Sequence, residues 1–404
     1  MDACGMYNCP ILCRAYQKRN RMTGWVRFVA MGLLAGAAAG CTVLPSSGPS
    51  RTEIEMQQPE DDQRYLLIDV DDRTLHLMQQ QRPASFGVRF GDYRPPGRYV
   101  VGVGDSISVT IWEAAAGGLF SGPVIDRLGT GSRSATIPDQ QVAQDGSVTV
   151  PYAGRIQVAG KTTSQIEQAV VERLTGKAIE PQAVVVVTRS VSNSATVLGE
   201  ATSGAIVPLS PRGDRVLDVI AAAGGIKVPA HEVFVRLSRG NATVTLPLQR
   251  LLNDPKEDVY VRPLDKIVVI RDPQTFTVFG AAGNPTVVPF DAVGITLEEA
   301  VARVGGLVDH RADPSGVYLM RLEPLGFATQ LRPDARPLEA YGYVRVIYRW
   351  NMRDPNFIFL ARGFQIRNKD AIYVANAPLS DLQKITSVFN AVAQPVATTV
   401  AVVP

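Results

Sequence analysis

Cysteine all but disappears from this chain once its first forty residues are set aside. Of four cysteines in 404 residues, Cys4, Cys9 and Cys13 lie at the extreme N-terminus, and Cys41 stands alone after them. One thiol cannot build an intramolecular disulfide framework, so the rest of the chain must be held by packed cores. Histidine is as scarce: His76, His231 and His310 fall in no HxxxH or HxxE pattern, which removes the common zinc signatures. No Gly-x-Ser-x-Gly elbow and no phosphate-binding P-loop occurs. No cofactor, metal or catalytic residue is therefore expected, and the chain reads as a non-enzyme. A surplus of one charge sign is missing too. The chain has 41 basic and 38 acidic side chains, but residues 1–40 hold five of the basic ones (Arg14, Lys18, Arg19, Arg21, Arg27) and one acid, Asp2. Beyond them 36 basic face 37 acidic residues, which gives no argument for nucleic acid as a partner.

What is present begins at that basic N-terminus. An apolar run of 12 residues, Phe28–Ala39, leads into Ala38-Ala39-Gly40-Cys41. The run is too short to span a bilayer as a helix and suits the core of a signal peptide with small residues at the cut. Cleavage just before a cysteine resembles bacterial lipoprotein precursors, which implies a leader at 1–40 and an acylated, palmitate-bearing Cys41. Met22 offers an alternative start inside that leader. Residues 41–98 follow as a tether and periplasmic segment: Pro45–Ser50 is linker-like, and 51–90 carry two short apolar stretches, Tyr65–Val70 and Leu75–Met78, with no assignable chemistry.

A denser module spans 99–190. The alternation from Ile107 to Trp112 predicts a half-buried strand. Thr162 or Thr163 should cap a helix running to Leu174 with Gly176 as its stop, and Ala183–Val187 reads as a fully buried strand. Gly102-x-Gly104 lacks the third glycine of a phosphate loop and is expected to be a turn.

An internal repeat then covers 196–273 and 277–378. Val197-Leu198-Gly199-Glu200 recurs as Val278-Phe279-Gly280-Ala281, and Leu217–Ile226 recurs as Leu297–Leu307. Leu252-Asn253-Asp254-Pro255 recurs as Met352-Arg353-Asp354-Pro355, and each copy closes on a similar strand, Asp265–Ile270 or Asp370–Ala375. Gly224, Gly225, Gly305 and Gly306 fall where helices must end with positive φ, so they are expected to be structural. Pro324 to about Tyr341 reads as an extra loop of the second copy. Strand, short helix and several more strands make each copy an α+β unit, and duplication of such a unit favours a scaffold.

Residues 379–404 differ from the rest. At 100° per residue, Leu382, Ile385, Val388, Phe389 and Val392 share one helix side, while Gln383, Ser387, Asn390 and Gln394 share the other. No charge follows Lys384. Such a helix reaches about 36 Å, enough for a hydrocarbon core of about 30 Å. A ring of copies could turn the first set to lipid and the second to a wet lumen. Pro395 would kink or end the helix.

These parts, in this order, resemble the Wza-like outer-membrane polysaccharide export lipoproteins. The resemblance runs from Cys41-Thr42-Val43-Leu44-Pro45 through the Tyr99–Arg189 module and both repeats to the tail. It implies a polysaccharide-export domain, two β-grasp domains and an amphipathic transmembrane helix in an α-helical barrel. It also implies a homo-oligomer, commonly of eight chains, anchored among outer-membrane lipids above an inner-membrane polysaccharide co-polymerase. Arg349–Pro355 and Asn368–Val374 look closer to exporters working with ABC transporters. The implied activity is passive conduction of capsular or extracellular polysaccharide to the cell surface. The alternative is a periplasmic glycan-binding lipoprotein without a pore.

Overall fold

The computed structural model describes residues 48–56, 65–81, 84–91, 93–95, 97–114, 119, 133–333 and 342–377. The expected leader at 1–40, Cys41 and the expected membrane helix at 379–404 lie outside the described residues. Sixteen strands are described: β1 (Leu66–Asp69), β2 (Ser106–Glu113), β3 (Arg133–Gln141), β4 (Ser147–Val150), β5 (Gly154–Gln157), β6 (Gln182–Arg189), β7 (Ser194–Gly199), β8 (Ala205–Pro208), β9 (Val233–Arg239), β10 (Ala242–Pro247), β11 (Lys266–Arg271), β12 (Gln274–Gly280), β13 (Val287–Phe290), β14 (Ala312–Pro324), β15 (Tyr343–Trp350) and β16 (Ala371–Asn376). With short helices packed on the sheets, the content is mixed α and β.

The first module is an antiparallel sheet in the order β3-β2-β6, beside the hairpin β4-β5. Burial alternates along all of β2, as period-two hydrophobicity demands. The helix Thr163–Leu174 starts with a capping box: Thr162 Oγ1 accepts from the Gln165 amide, and the Gln165 side chain accepts from the Thr162 amide. Ile166, Val170 and Leu174, four residues apart, turn one fully buried stripe to the sheet, and Gly176 follows with φ +82°. The apolar run within β6 is not fully buried. Val185 is, but Val184 and Val186 are 44% and 54% exposed, because the helix covers only one face of this sheet.

The two repeats fold alike. The first is a sheet in the order β10-β9-β11-β7-β8, and the second runs β1-β15-β14-β16-β12-β13. Without β1 the orders match strand for strand, with the parallel pairs β7/β11 and β12/β16 at equivalent places. The helices Val216–Ala222 and Leu297–Arg303 seal the buried faces. Two expectations need correction. The stretch after Pro324 opens with a helix, Leu325–Leu331, that buries Phe327 and Ala328 rather than looping free. The two Asp-Pro pairs are not equivalent either: Asp254-Pro255 follows the helix Leu248–Asn253, whereas Asp354-Pro355 precedes the helix Phe357–Gly363.

The segment 51–90, which carries no chemistry legible in sequence, is shared between the repeats. β1 adds to the second sheet in parallel with β15, and Leu75 and Met78 of the helix Asp72–Gln80 pack on that core. The next helix, Phe86–Phe90, instead sinks Phe86 and Phe90 into the core of the first repeat. Burying each such ring is worth about 1.5–3 kcal/mol.

Candidate functional site

Of the residues singled out by sequence, Cys41, Leu382, Gln383, Ile385, Ser387, Val388, Phe389, Asn390, Val392 and Gln394 lie outside the described residues. The structure places Gly224, Gly225, Gly305 and Gly306 at helix ends, with φ of +86°, +77°, +79° and +73°. The Gly225 and Gly306 amides donate to the carbonyls of Ile220 and Val301, five residues back, which closes each helix. Their own carbonyls accept from Thr202 and Gly283, just after β7 and β12. These glycines therefore fasten helix to sheet.

A buried aspartate recurs in all three units, whereas the sequence marked Asp265 and Asp370 only as the starts of similar strands. Asp105, Asp265 and Asp370 each follow a residue with positive φ (Gly104, Leu264, Lys369) and open a strand. In each turn the carboxylate accepts the backbone N–H three residues back, from Gly102, Arg262 or Arg367, at 2.8 Å. In the repeats the same carboxylate holds an arginine from the neighbouring strand. Arg239 reaches Asp265 at 2.7 Å and Arg321 reaches Asp370 at 2.5 Å. Burial presses the Arg321 guanidinium down, but Asp370 outweighs it and leaves the group above its ordinary value. Glu323, fully buried beside it, accepts from Arg367 at 2.9 Å and from the Tyr348 hydroxyl at 3.0 Å. Burial and then Glu323 push the Tyr348 hydroxyl up, so it stays a donor. These are internal fasteners: the acids of the repeats are matched by arginines, and Asp105 by the Gly102, Val191 and Ser192 amides and the Ser192 hydroxyl.

The open face of the second sheet carries a lid made from the chain's own N-terminal part. Ser50 caps the helix Arg51–Glu55 through a capping box with Glu53, and Ile54 packs among Tyr318, Ile347, Tyr373 and Ala375. Hydroxyls hold the backbone: Tyr373 donates to the Pro49 carbonyl and Tyr65 to that of Ile54, both at 2.7 Å. Glu55 accepts from Arg51 at 2.8 Å, Arg349 at 2.9 Å and the Tyr318 hydroxyl at 3.1 Å. Burial raises Glu55, but Arg349 and then Arg51 outweigh it and hold the carboxyl below the usual range. Arg349 also pairs with Asp69 of β1. On the first repeat, Glu257 fastens the Phe86 helix, accepting from the Phe86 and Gly87 amides, the Ser85 hydroxyl and Arg250. Sequence gave no signal for Glu55 or Glu257, since their partners lie up to 294 positions away.

Two clefts among the described residues open to solvent. One of about 740 Å³ lies between the first module and the first repeat, lined by Tyr99, Val186, Arg189, Ile206, Pro208 and Pro211 among others. A smaller one of about 390 Å³ sits beside Arg250, Asn253 and Val293. Neither holds a nucleophile, a base and an orienting group in contact. Among the described residues there is no cluster able to ligate a metal, and no helix is long and apolar enough to cross a membrane.

A family described as polysaccharide biosynthesis/export protein matches residues 94–188, and the SLBB domain matches residues 274–374. Capsule polysaccharide export outer membrane protein CtrA of Neisseria meningitidis serogroup B is 36% identical over 377 residues, covering 90% of this chain and 94% of that protein. Capsule polysaccharide export protein BexD of Haemophilus influenzae is 37% identical over 385 residues, covering 93% and 97%. Vi polysaccharide export protein VexA/TviF of Salmonella typhi is 28% identical over 288 residues, covering 71% and 76%.

Proposed function

Because the chain belongs to the family of outer-membrane polysaccharide export proteins, we propose that it carries a capsular or extracellular polysaccharide across the outer membrane. The observation that carries this reading is the near full-length likeness to two capsule export proteins, which includes both repeats and the N-terminal segment. The function needs no catalyst, only a wide, hydrated, weakly binding path.

In this reading residues 1–40 are the leader, and acylated Cys41 anchors the chain in the outer membrane. Residues 41–98 run from that anchor along the repeats. Residues 99–190 are the export domain, 196–273 and 277–378 the two β-grasp domains, and 379–404 the amphipathic membrane helix. Several copies form a ring in which Gln383, Ser387, Asn390 and Gln394 face the lumen and Leu382, Ile385, Val388, Phe389 and Val392 face lipid. An inner-membrane co-polymerase with an ABC transporter would feed polymer from below. The placement of the N-terminal lid supports this layout. Only residues 42–47 separate Cys41 from docked Gly48, a span of about 25 Å at most. The lid is bonded to Tyr373, six residues before the proposed tail begins, so anchor and tail leave from one region of the second repeat.

Deleting the gene tests the reading. Polymer should vanish from the cell surface and accumulate inside the envelope. Normal surface polymer in the deletion strain would contradict it.

A further inference from the structure

The two repeats share a sheet but treat its open face differently. Arg239–Asp265 and Arg321–Asp370 occupy equivalent places and fix the alignment of one sheet on the other. On the open face of the second repeat, Met320 and Ala371 form one cross-strand pair, and Tyr318 and Tyr373 the next. That apolar centre is where Ile54 docks, and its Arg349 is matched by Glu55 and Asp69. The equivalent pairs in the first repeat are Ser238 with Lys266 and Arg236 with Val268. Register thus puts Arg236 where the second repeat has Tyr318, and Lys266 where it has Ala371.

Strands β7 to β11 contain four cations, Arg236, Arg239, Lys266 and Arg271, and no aspartate or glutamate. Arg236 and Lys266 stand on the open face, whereas Arg239 and Arg271 are in phase with the buried residues of their strands. Arg239 is matched by Asp265 and Arg271 by Glu232, both from flanking turns. Arg236 donates to the Thr245 hydroxyl at 3.2 Å, and neither it nor Lys266 has a carboxylate partner among the described residues. Both are exposed. They are diagonal neighbours on adjacent antiparallel strands, roughly 7–8 Å apart at the backbone. Hydroxyls surround them: Thr243 and Ser238 lie in register with Lys266, 3.1 Å from each other, and Thr196 flanks it on the other side. The duplicated sheet has therefore replaced the apolar, lidded centre with a cationic, hydroxyl-bearing one, bordered toward β8 by exposed Leu198 and Ile206.

We propose that this open face of the first repeat, centred on Arg236 and Lys266, binds an anionic polysaccharide. The inference rests on the reading of the chain as a polysaccharide exporter and names the substrate class. The cations take the acidic groups of the polymer, and the serine and threonine hydroxyls exchange hydrogen bonds with its sugar hydroxyls. Exposed ion pairs are individually weak and screened by salt, so such a surface holds a chain without arresting it.

The test uses the full-length protein in detergent, with fluorescent polygalacturonate as the anionic probe and dextran as the neutral one. Binding of polygalacturonate should weaken as salt is raised. Arg236→Gln/Lys266→Gln should weaken it roughly five- to thirty-fold at low salt, from up to about 1 kcal/mol per exposed pair. Arg236→Lys/Lys266→Arg should retain most of the affinity. A charge-matched control on the first module, Arg173→Gln/Lys177→Gln, should bind like the wild type. Dextran should not distinguish any of these proteins. Unchanged polygalacturonate binding by the Gln variant with an intact melting transition would overturn the proposal, as would equal loss in the control. If surface polymer is lost in the deletion strain while the Gln variant binds normally, this inference alone fails. Surface polymer that survives deletion would remove the exporter reading beneath it.

Discussion

Gly199 and Gly280, at the ends of β7 and β12, have φ of +92° and +82°. A Cβ at either would overlap a backbone oxygen of the partner strand, that of Val269 or Val374. At Gly225 the backbone is equally left-handed, yet nothing lies within 4 Å of an added Cβ. Gly225→Ala should therefore cost about 1–2 kcal/mol of conformational strain. Gly280→Ala should cost about 1–3 kcal/mol more, because the β12–β16 pair must also spread. Thermal melts of the two variants check the order, and equal melting points would refute it. Glu257→Ala should cost about 3 kcal/mol, since the Phe86 and Gly87 amides and Arg250 lose their acceptor together. At this scale the glycines were legible, because repeated glycines after apolar runs have few other uses. The salt-bridged acids were not: nothing in the local pattern distinguishes Glu257 from a solvated glutamate.

Elements built from local periodicity, such as β2 and the helix capped by Thr162, could be read directly from sequence. Elements that depend on remote partners could not. The helix Arg51–Glu55 is five residues long and could not persist alone, so only the second sheet explains it. The exposure of β6 was missed for a related reason, since a valine run does not say whether one face or two will be covered. The lid should respond to acid. Glu55 and Glu53 are both held below the usual carboxylate range, Glu53 by its bonds to the Ser50 amide and hydroxyl. Depressed values mean that docking is favoured above the unfolded carboxylate pKa and loses support as pH falls through the docked values. Amide exchange at Ile54 and Met56 should accelerate in that acidic window, and Glu55→Gln should flatten the response. Protection unchanged down to pH ~3, below the ordinary glutamate pKa of about 4.3, would contradict this. For the proposed tail helix, single cysteines at Ser387 and Asn390 should react with a membrane-impermeant thiol reagent, while those at Val388 and Val392 should be protected. Labelling without the period of about 3.6 residues would refute a lipid-embedded ring.

At the scale of the whole molecule, the order of parts pointed to the family, because an expected anchor, a strand-rich module, two repeats and an expected amphipathic tail are together more specific than any one motif. What the order of parts did not reveal is that residues 65–90 are divided between the two repeats, β1 in one and Phe86 in the other. That division staples the repeats together and makes the N-terminal segment part of the scaffold. Cys41→Ala should accordingly abolish acylation and reduce membrane association while leaving the repeats folded. Palmitate incorporated normally into that variant would refute Cys41 as the anchor. The central claim is that this scaffold works as a ring around a path for polymer, and the mass of the particle extracted in detergent tests it most directly. A ring channel requires a particle several times the mass of one chain, about eight copies by family resemblance. A particle of a single chain would contradict the channel and leave a periplasmic glycan-binding lipoprotein in its place.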